Sequence, residues 1–321
     1  MGTLVHINDF NFRDFCENGR HVAGRKFGYA GPNKHGKVLR GFRAIDLIPR
    51  DQWPARIKAL YESKQDLRSV ADAAGQLVKD QDGLSLCWAY GSTSAAEVNN
   101  ILMGEGYKNL APESVAGPIT GWQNEGGYAE PAAVQLTNYG ACTMDFLDAP
   151  NSLNPAAWKP GWQTEALDNR FDHGFYDVPQ DFDTVCTILL GGVDGTPHPV
   201  AAGLSWWGHL VCYYNPAMWV NGVLWQAGQP LPTPGAKVTY GVLFRNSWGD
   251  WGDNGYGTLT EAKAVPDGAS MPYARGIIVP PGPPTPVDPP EPPTPRWPCR
   301  RAATHIVKGL MAAAKELGLD E

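Results

Sequence analysis

The pattern of apolar and polar positions changes along the chain from helical to extended periodicity. Apolar residues fall roughly on one face of residues 51–72, which predicts one helix with Pro54 in its first turn. Residues 87–103 contain no proline and are followed by Gly104, which predicts a second helix with Cys87 in its first turn. The first half of the chain is therefore predicted to be mainly helical.

Shorter elements are predicted in the middle of the chain. Residues 104–127 are interpreted as a loop-rich stretch, and helices are predicted over residues 131–139 and 183–190. The region from 148 to 180 holds several Pro and Trp residues without a clear period. We therefore predict that it is a long surface insertion.

From residue 200 onward the pattern is that of short strands separated by turn residues. Asn221-Gly222 lies between two short apolar runs and predicts a tight hairpin turn. Strands are predicted over residues 200–205, 210–214, 218–220, 223–226, 238–245, 255–259 and 275–279. Helices followed by antiparallel strands predict an α+β fold built as two lobes.

Composition indicates a globular body that is followed by an extended segment. Only 18 % of the 321 residues are charged and the chain has 12 Trp, which favours aromatic packing over a coiled coil or a disordered chain. Residues 280–298 are dominated by proline and predict a semi-rigid polyproline-II linker. In residues 299–321, apolar positions at helical spacing between 300 and 317 predict an amphipathic tail helix that docks on a protein partner or on the chain's own body.

Charge and hydropathy narrow the range of partners. Residues 1–50 contain nine Lys and Arg against four Asp and Glu, although the net charge of the whole chain is −7. The basic arm, residues 1–45, is therefore expected to lie against the acidic body, to bind an acidic partner or to remain solvated. No nucleic-acid partner is expected. The most apolar window, 203–220, is interrupted by polar residues and proline, so no membrane span is predicted.

The cysteines and the first residues of the chain indicate in which cellular compartment the protein is expected. The first residues show no basic stretch followed by an apolar one, so an intracellular location is expected, with a virus or phage product included. The six cysteines lack any CxxC spacing, which predicts free thiols. They stand at positions 16, 87, 142, 186, 212 and 299.

Four residues carry groups that suit nucleophilic thiol catalysis. Cys87 at a helix N-terminus feels a partial positive charge that favours the thiolate. His209 offers a base, Asn246 an amide that fixes the tautomer of that base, and Gln81 a donor for a developing oxyanion. Each residue taken alone has a plainer structural interpretation, as a core cysteine, a strand histidine or a turn asparagine.

Taken together, these residues and their contexts resemble the papain family of cysteine peptidases, over about residues 76–260. The matching segments are Gln81 with Cys87-Trp88-Ala89, Gly126-Gly127-Tyr128, Gly208-His209-Leu210-Val211 and Asn246-Ser247-Trp248-Gly249. The resemblance implies a helical lobe at about 46–140 that carries the nucleophile. It also implies an antiparallel, β-barrel-like lobe at about 141–279 that carries the histidine and the asparagine.

The activity implied by this resemblance is hydrolysis of a polypeptide through a Cys87 thiolate, a His209 imidazolium and an acyl-thioester, with no cofactor and no metal. Gly126 and Gly127 would offer backbone hydrogen bonds to an extended substrate. Three tryptophans are also assigned to the substrate cleft. Trp248 would shield the His–Asn hydrogen bond, Trp207 would fill or narrow the main specificity pocket, and Trp251 comes one residue earlier than in the family.

The chain also departs from the family. Leu84-Ser85-Leu86 stands where the family has Cys-Gly-Ser with a disulfide-bonded cysteine, and Asn124 stands near the place of the partner cysteine. Residues 1–45 are expected to be too short for the family's long helical propeptide, and they are a candidate cover for the cleft. Two alternative functions remain open: a catalytically quiet structural or binding protein of a larger assembly, and a transpeptidase that uses the same groups.

Overall fold

The computed structural model describes residues 2–16, 24–32, 39–41, 45–171 and 174–272. All of them belong to the first of the two units into which the chain divides, Met1–Ile277. The predicted strand at 275–279, the proline-rich linker and the tail helix lie outside the described residues. Within the described ranges, no helix combines the length and the apolar character that crossing a bilayer requires.

The described residues form eight α-helices, and the longest of them begins at Cys87. They are α1 (Trp53–Glu62), α2 (Leu67–Ala73), α3 (Cys87–Leu102), α4 (Pro112–Thr120), α5 (Ala129–Asn138), α6 (Trp162–Asp168), α7 (Phe182–Leu189) and α8 (Glu261–Ala264). The start of α3 agrees with the sequence prediction, and Gly104 follows its end with a φ of 80°. Nearly every side of α3 is buried, as expected of a helix inside a domain.

The strands of the described chain form one mixed sheet in the order β1-β8-β7-β5-β4-β9-β3-β2, with β6 paired to β5. They are β1 (Val5–Ile7), β2 (Arg40–Gly41), β3 (Phe175–Asp177), β4 (Val200–Leu204), β5 (His209–Val220), β6 (Val223–Leu224), β7 (Val238–Arg245), β8 (Tyr256–Thr260) and β9 (Gly268–Pro272). The central pairs are antiparallel, whereas β1 and β2 from the basic arm add in parallel at the two ends. The fold is α+β.

Close packing of α3 against β5 brings the two halves of the molecule together. A Cβ atom at Gly91 would lie 2.3 Å from Leu210 Cδ2, so the strand approaches the helix as far as a glycine allows. Further along α3, the buried Glu97 forms an ion pair with Lys79 at 2.9 Å and accepts a hydrogen bond from Gln76. The N-terminus of α3 and the start of β5 are therefore held side by side.

The helix predicted over 51–72 is two helices. Lys64 adopts a φ of 56°, which a continuing α-helix does not permit. The Asp66 side chain then accepts a hydrogen bond from the Ser69 backbone N–H at 3.0 Å and caps the start of α2. The long predicted helix was wrong because the apolar period continues through this break.

The prediction that 104–127 is loop-rich missed α4. Pro112 lies in the first turn of α4, and Gly121 ends the helix with a φ of 62°. Pro118 inside the helix made the segment look like a loop. Its ring lies within the last turn, where one lost backbone hydrogen bond does not break the helix.

The prediction of a surface insertion at 148–180 is also wrong. Trp158 in this region is only 5 % exposed, and its ring centroid lies 5.2 Å from that of Trp122 and 5.0 Å from that of Trp162. Phe175 and Tyr176 are buried in β3, which joins the sheet beside β9. Isolated aromatic residues contribute here to the core without any helical or strand periodicity.

Two of the predicted strands are one long strand, β5. A bulge between Tyr213 and Asn215 shifts the register with β7, so the strand continues past residues that suggested its end. The predicted turn at Asn221-Gly222 is confirmed between β5 and β6. Both residues have positive φ, 52° and 82°, which the tight hairpin turn requires.

We expect Gly91→Ala to lower the free energy of unfolding by about 1–3 kcal/mol, because the added methyl group overpacks the contact with Leu210. Ser94→Ala on the same helix, where the side chain is only half-buried, is the matched control and should stay within about 0.5 kcal/mol. Urea unfolding of the two variants measures both effects. Equal stability of the variants would contradict a close contact between α3 and β5.

Candidate active site

Cys87 occupies the first position of α3, and its side chain is fully buried. Backbone hydrogen bonds from Leu210 and Gly28 reach its sulfur atom, which places the thiol between the start of β5 and the basic arm. Leu210 directly follows His209 in β5, so the contact between α3 and β5 brings the two predicted catalytic residues to the same place.

The hydrogen bond between His209 and Asn246 defines the tautomer of the imidazole. His209 Nε2 lies 2.7 Å from Asn246 Oδ1, and the same oxygen accepts the Ser247 backbone N–H at 2.8 Å. Since this amide atom already accepts from a backbone donor, it is an oxygen, and Nε2 must carry the proton. The lone pair of the neutral ring then lies on Nδ1, which is buried and has no hydrogen-bond partner among the described residues.

The side-chain amide of Gln81 is held in a fixed orientation. Its Oε1 accepts a hydrogen bond from the Ser247 hydroxyl, and its Nε2 donates to the carbonyl oxygens of Leu84 at 2.6 Å and Lys26 at 3.2 Å. Ser247 therefore connects the proposed oxyanion donor to Asn246. The sequence motif contained Ser247, but nothing in the motif indicated that its hydroxyl orients Gln81.

A segment of the basic arm lies in the cleft beside Cys87. We call residues 24–32 the strap. Its backbone pairs with Gly127: the Gly127 N–H donates to Gly28 O at 2.7 Å, and the Ala30 N–H donates to Gly127 O at 2.9 Å. On the other side of the cleft, the Tyr29 N–H donates to Gly208 O at 3.0 Å.

Side chains of the strap extend its contacts along the cleft. Arg25 forms an ion pair with Asp80 at 2.5 Å and donates to Trp248 O at 2.8 Å. The ring of Phe27 lies edge-on to His209 and Trp248, with centroids 6.1 and 5.8 Å apart. The strap thus contacts the groups proposed for the nucleophile, the base, the oxyanion donor and the substrate backbone.

Gly28 fits where no larger residue would. A Cβ atom at Gly28 would lie 1.9 Å from Ser85 O, so the strap lies directly on the backbone before Cys87. Gly126 and Gly127 face it, and a Cβ atom at Gly126 would lie 2.7 Å from Gly28 O. Glycines on both sides therefore permit backbone-to-backbone contact.

Burial determines the protonation states of the site. It raises the pKa of Cys87 to about 12, although four backbone hydrogen bonds act in the opposite direction. Burial also lowers the pKa of His209 to about 4, although the hydrogen bond that its Nε2–H donates to Asn246 acts in the opposite direction. Beneath the strap the pair is therefore a neutral thiol and a neutral imidazole at pH 7. In this covered state desolvation raises the pKa of Cys87 and thus acts against the thiolate expected at the helix N-terminus.

Known structures that are similar to this chain are cysteine proteases. Digestive procathepsin L 3 of Tenebrio molitor has 16 % identity and a TM-score of 0.47, with 79 % of this chain and 77 % of that chain covered. Xylellain from Xylella fastidiosa has 16 % identity and a TM-score of 0.47, with 78 % of this chain and 96 % of that chain covered. The proform of the ragweed cysteine protease Amb a 11 has 19 % identity and a TM-score of 0.47, with 65 % of this chain and 65 % of that chain covered. The chain therefore spans just under two thirds of that protein.

The chain is thus similar to papain-like cysteine proteases, and at these identities the likeness is one of fold. No protein-family model matches the sequence, and no curated protein matches it at a significant level. The chemistry must therefore be argued from the side chains of this chain. Among the described residues, no group of three or more His, Cys, Asp or Glu is arranged to hold a metal ion.

The assignment of Trp207 to the specificity pocket is wrong. Its side chain is 2 % exposed, its indole N–H donates to Phe15 O at 2.7 Å, and its ring centroid lies 4.9 Å from that of His209. Trp207 therefore packs behind the imidazole. Gly208 has a φ of 66°, which allows the chain to turn sharply between Trp207 and His209.

Trp251 is half-buried and packs against two aromatic side chains of the site. Its ring lies 5.7 Å from Phe244 and 5.9 Å from Trp248. Trp248 is fully buried, with its ring 4.7 Å from the imidazole of His209 and in contact with Phe27. Of the three tryptophans, Trp248 alone contacts both the imidazole and the strap among the described residues.

Asn124 links two loops through hydrogen bonds, at the place where the papain family has a disulfide. Its Oδ1 accepts the Ser85 N–H at 2.6 Å, and its Nδ2 donates to Gly83 O at 3.1 Å. Hydrogen bonds of one side chain therefore hold the loop before Cys87 to the loop before Gly126. Cys16, Cys87, Cys142, Cys186 and Cys212 are all free thiols, as predicted, and Cys299 lies outside the described residues.

We expect His209 to make the folded state sensitive to acid. Its folded pKa of about 4 lies below the ordinary value of 6.5, so as pH falls from 7 to 4 the unfolded chain binds a proton that the folded chain does not. This residue should then remove about 3 kcal/mol of unfolding free energy. The buried neutral imidazole contributes this stability in full above pH 6.5, and the contribution is lost as the pH falls towards 4.

Urea unfolding of the wild type and of His209→Gln at pH 4, 5, 6 and 7 isolates this contribution, since all other groups titrate in both proteins. The stability of the wild type relative to the variant should fall by about 3 kcal/mol between pH 7 and pH 4. A difference that is constant with pH would show that the imidazole is not buried in its neutral form.

Proposed function

We propose that this protein is a cysteine-type endopeptidase whose nucleophile is Cys87, with His209 as the acid–base residue. Asn246 orients the imidazole, and Gln81 stabilises the oxyanion. The observation that carries this proposal is the hydrogen bond from His209 Nε2 to Asn246 Oδ1, because it leaves Nδ1 as a free base on a strand packed against the start of α3. A purely structural fold does not require this tautomer.

In the proposed reaction, the sulfur of Cys87 transfers its proton to His209 Nδ1 and attacks a peptide carbonyl carbon, so that a C–S bond forms. The carbonyl oxygen becomes negative and accepts a hydrogen bond from Gln81 Nε2. The imidazolium returns the proton to the leaving amine, which breaks the C–N bond. Water, deprotonated by the imidazole, then releases the acyl group from the thioester and restores the thiol.

Two contacts of the strap indicate how a substrate would lie. The Lys26 carbonyl oxygen already accepts from Gln81 Nε2, and Gly127 already pairs with an extended backbone. The Gly28 carbonyl oxygen, by contrast, is bound by the Gly127 N–H. The strap therefore occupies part of the cleft that a substrate would use.

We expect Gly28→Val to release the strap and to expose Cys87. The new side chain cannot fit against Ser85 O, and overpacking of this kind costs about 1–3 kcal/mol. An epoxysuccinyl thiol inhibitor should then modify Cys87 about tenfold faster, or more, than in the wild type. Ala30→Val, in which the same side chain replaces an exposed one on the strap, is the matched control and should label at the wild-type rate. Equal rates for all three proteins would show that the strap does not limit access.

The catalytic role is tested in the Gly28→Val background. Stoichiometric labelling of Cys87 between pH 5 and 8 should fall by about a hundredfold or more in His209→Ala, since a positioned base contributes about 10²–10⁴-fold. Mass spectrometry after digestion locates the adduct. Labelling that is absent, or that is independent of His209, would exclude the peptidase and favour the quiet structural protein.

The Gly28→Val variant, with His209 intact, also distinguishes hydrolysis from transpeptidation. With a peptide substrate and an added amine, a hydrolase gives mainly the free acid. Mass spectra in which the amine adduct dominates would instead assign the acyl-thioester to transfer.

A further inference from the structure

The first residues of the chain pack on the sheet and on the loop between β7 and β8. We call residues 2–16 the anchor, and they precede the strap in the chain. β1 of the anchor adds in parallel to β8, where Ile7 lies opposite Leu259 and is fully buried. A Cβ atom at Gly2 would lie 2.0 Å from Gly252 O, so the anchor lies directly on the loop that also carries the proposed asparagine of the site. The anchor is therefore part of the packed body of the protein.

A single hydrogen bond joins the anchor to the tryptophan behind the imidazole. The indole N–H of Trp207 donates to Phe15 O at 2.7 Å, and both side chains are buried. The Phe15 ring lies edge-on to Trp251, with centroids 6.3 Å apart, and this packing holds the backbone that carries the accepting oxygen. Because an indole has one polar hydrogen, loss of this acceptor would leave a buried donor without a partner.

Trp207 in turn packs against the imidazole. Its ring centroid lies 4.9 Å from that of His209, at an interplanar angle of 63°. The ring of Trp248 lies 4.7 Å from the same imidazole, with the planes 33° apart. The hydrogen bond to Asn246 tolerates a deviation of about 30° from linearity, so it does not fix the plane of the ring by itself. The two indoles restrict that plane and with it the direction of Nδ1.

The other contacts of Trp207 are with the core. Its ring lies edge-on to Phe244 of β7 at 5.6 Å and stacks on Trp206 at 5.4 Å, with planes 12° apart. At 2 % exposed, the side chain lies below the surface and affects the site through the imidazole that it contacts. The position of this indole is thus set by the core on one side and by the anchor on the other.

We propose that Trp207 is a positioning residue of the peptidase and that the anchor holds it in place through Phe15 O. The inference rests on the proposed peptidase function and adds a role for the first residues of the chain. The anchor and the strap then have opposite effects although they are neighbours in sequence. The strap covers Cys87, whereas the anchor orients the base that activates it. Release of the strap alone gives an active enzyme, and loss of the anchor with it does not.

The first test is Trp207→Phe in full-length Gly28→Val protein, in which the strap is displaced. Phenylalanine keeps an aromatic ring beside the imidazole but has no N–H for Phe15 O. We expect kcat per active site, counted by titration with an epoxysuccinyl inhibitor, to fall by about tenfold or more, since misplacement by 1 Å can cost about 10²-fold. KM should stay unchanged, because the lost interaction acts on the chemical step and not on substrate binding.

Trp206→Phe in the same background is the matched control. It removes an indole N–H that donates to a backbone carbonyl in the same way, that of Lys263 at 3.1 Å, and it should keep the kcat of its parent. Counting active sites separates a slower enzyme from a smaller folded fraction. An unchanged kcat in Trp207→Phe, or an equal fall in both variants, would overturn the proposal.

A second pair of variants tests the anchor. Phe15→Ala removes the ring that packs on Trp251 and should lower kcat with KM kept. Phe10→Ala makes the same change on the anchor at a side chain that is 96 % exposed, and it should behave as the parent. The losses from Phe15→Ala and Trp207→Phe should not multiply in the double variant, because both act through one hydrogen bond. Losses that multiply, or a Phe15→Ala protein that is less stable but keeps its kcat, would overturn the role of the anchor.

A measurement without turnover distinguishes failure of this inference from failure of the proposed function. Nitrogen-15 spectra of histidine-labelled Gly28→Val protein, assigned with His209→Gln, report separate signals for a protonated Nε2 and a bare Nδ1. We expect these signals to move towards each other in Trp207→Phe, as the ring loses its fixed orientation. That change in protein that cleaves no substrate would refute the peptidase and retain the positioning role. Turnover with the parent's kcat and unchanged signals would refute the positioning role and retain the peptidase.

Discussion

The contact between α3 and β5 is the constraint on which the rest of the structure depends. Gly91 allows Leu210 to lie against the helix, and Glu97 fixes the same helix through a buried ion pair with Lys79. Because α3 begins at Cys87 and β5 begins at His209, one packing contact between a helix and a strand fixes the relative position of both residues. Residues far apart in the chain are thus positioned by rigid elements, with the loops left to supply the surrounding donors.

Two opposing influences act on the thiol at the start of α3. The helix N-terminus and nearby backbone donors favour the thiolate, whereas removal of water favours the neutral thiol. In the covered state the second influence is larger, as the raised pKa of Cys87 and the lowered pKa of His209 both show. The chemical state of the pair therefore depends on whether water reaches it, and in this structure the strap covers it.

The sequence allowed prediction of the elements and residues whose signal is local. Cys87 at a helix start and the Asn221-Gly222 turn follow from a few neighbouring residues, and so did the α+β class. Other features depend on contacts distant in sequence. The single glycine at position 28 gives no periodic signal, yet its fit against Ser85 O places the strap in the cleft. In the same way, nothing around Trp207 indicates on which side of His209 its ring lies.

Polar contacts between residues that are distant in the sequence could not be predicted from local patterns either. Ser247 belongs to a recognisable motif, but its hydrogen bond to Gln81 joins residues that are distant in the chain. The same holds for Asn124. The absence of a cysteine pair predicts that a covalent link between the two loops is lost, but the sequence does not show that the Asn124 amide replaces it with two hydrogen bonds.

The strap belongs to the same chain as the cleft that it fills, and this has a kinetic consequence. A tethered ligand competes at an effective concentration set by its linkage, however dilute the protein is. With the proposed function, a free peptide would bind only to the fraction of molecules whose strap has left, and its apparent dissociation constant would equal the intrinsic value divided by that fraction. Dilution cannot relieve this competition. Anything that holds the strap elsewhere would raise the apparent affinity for every peptide by the same factor.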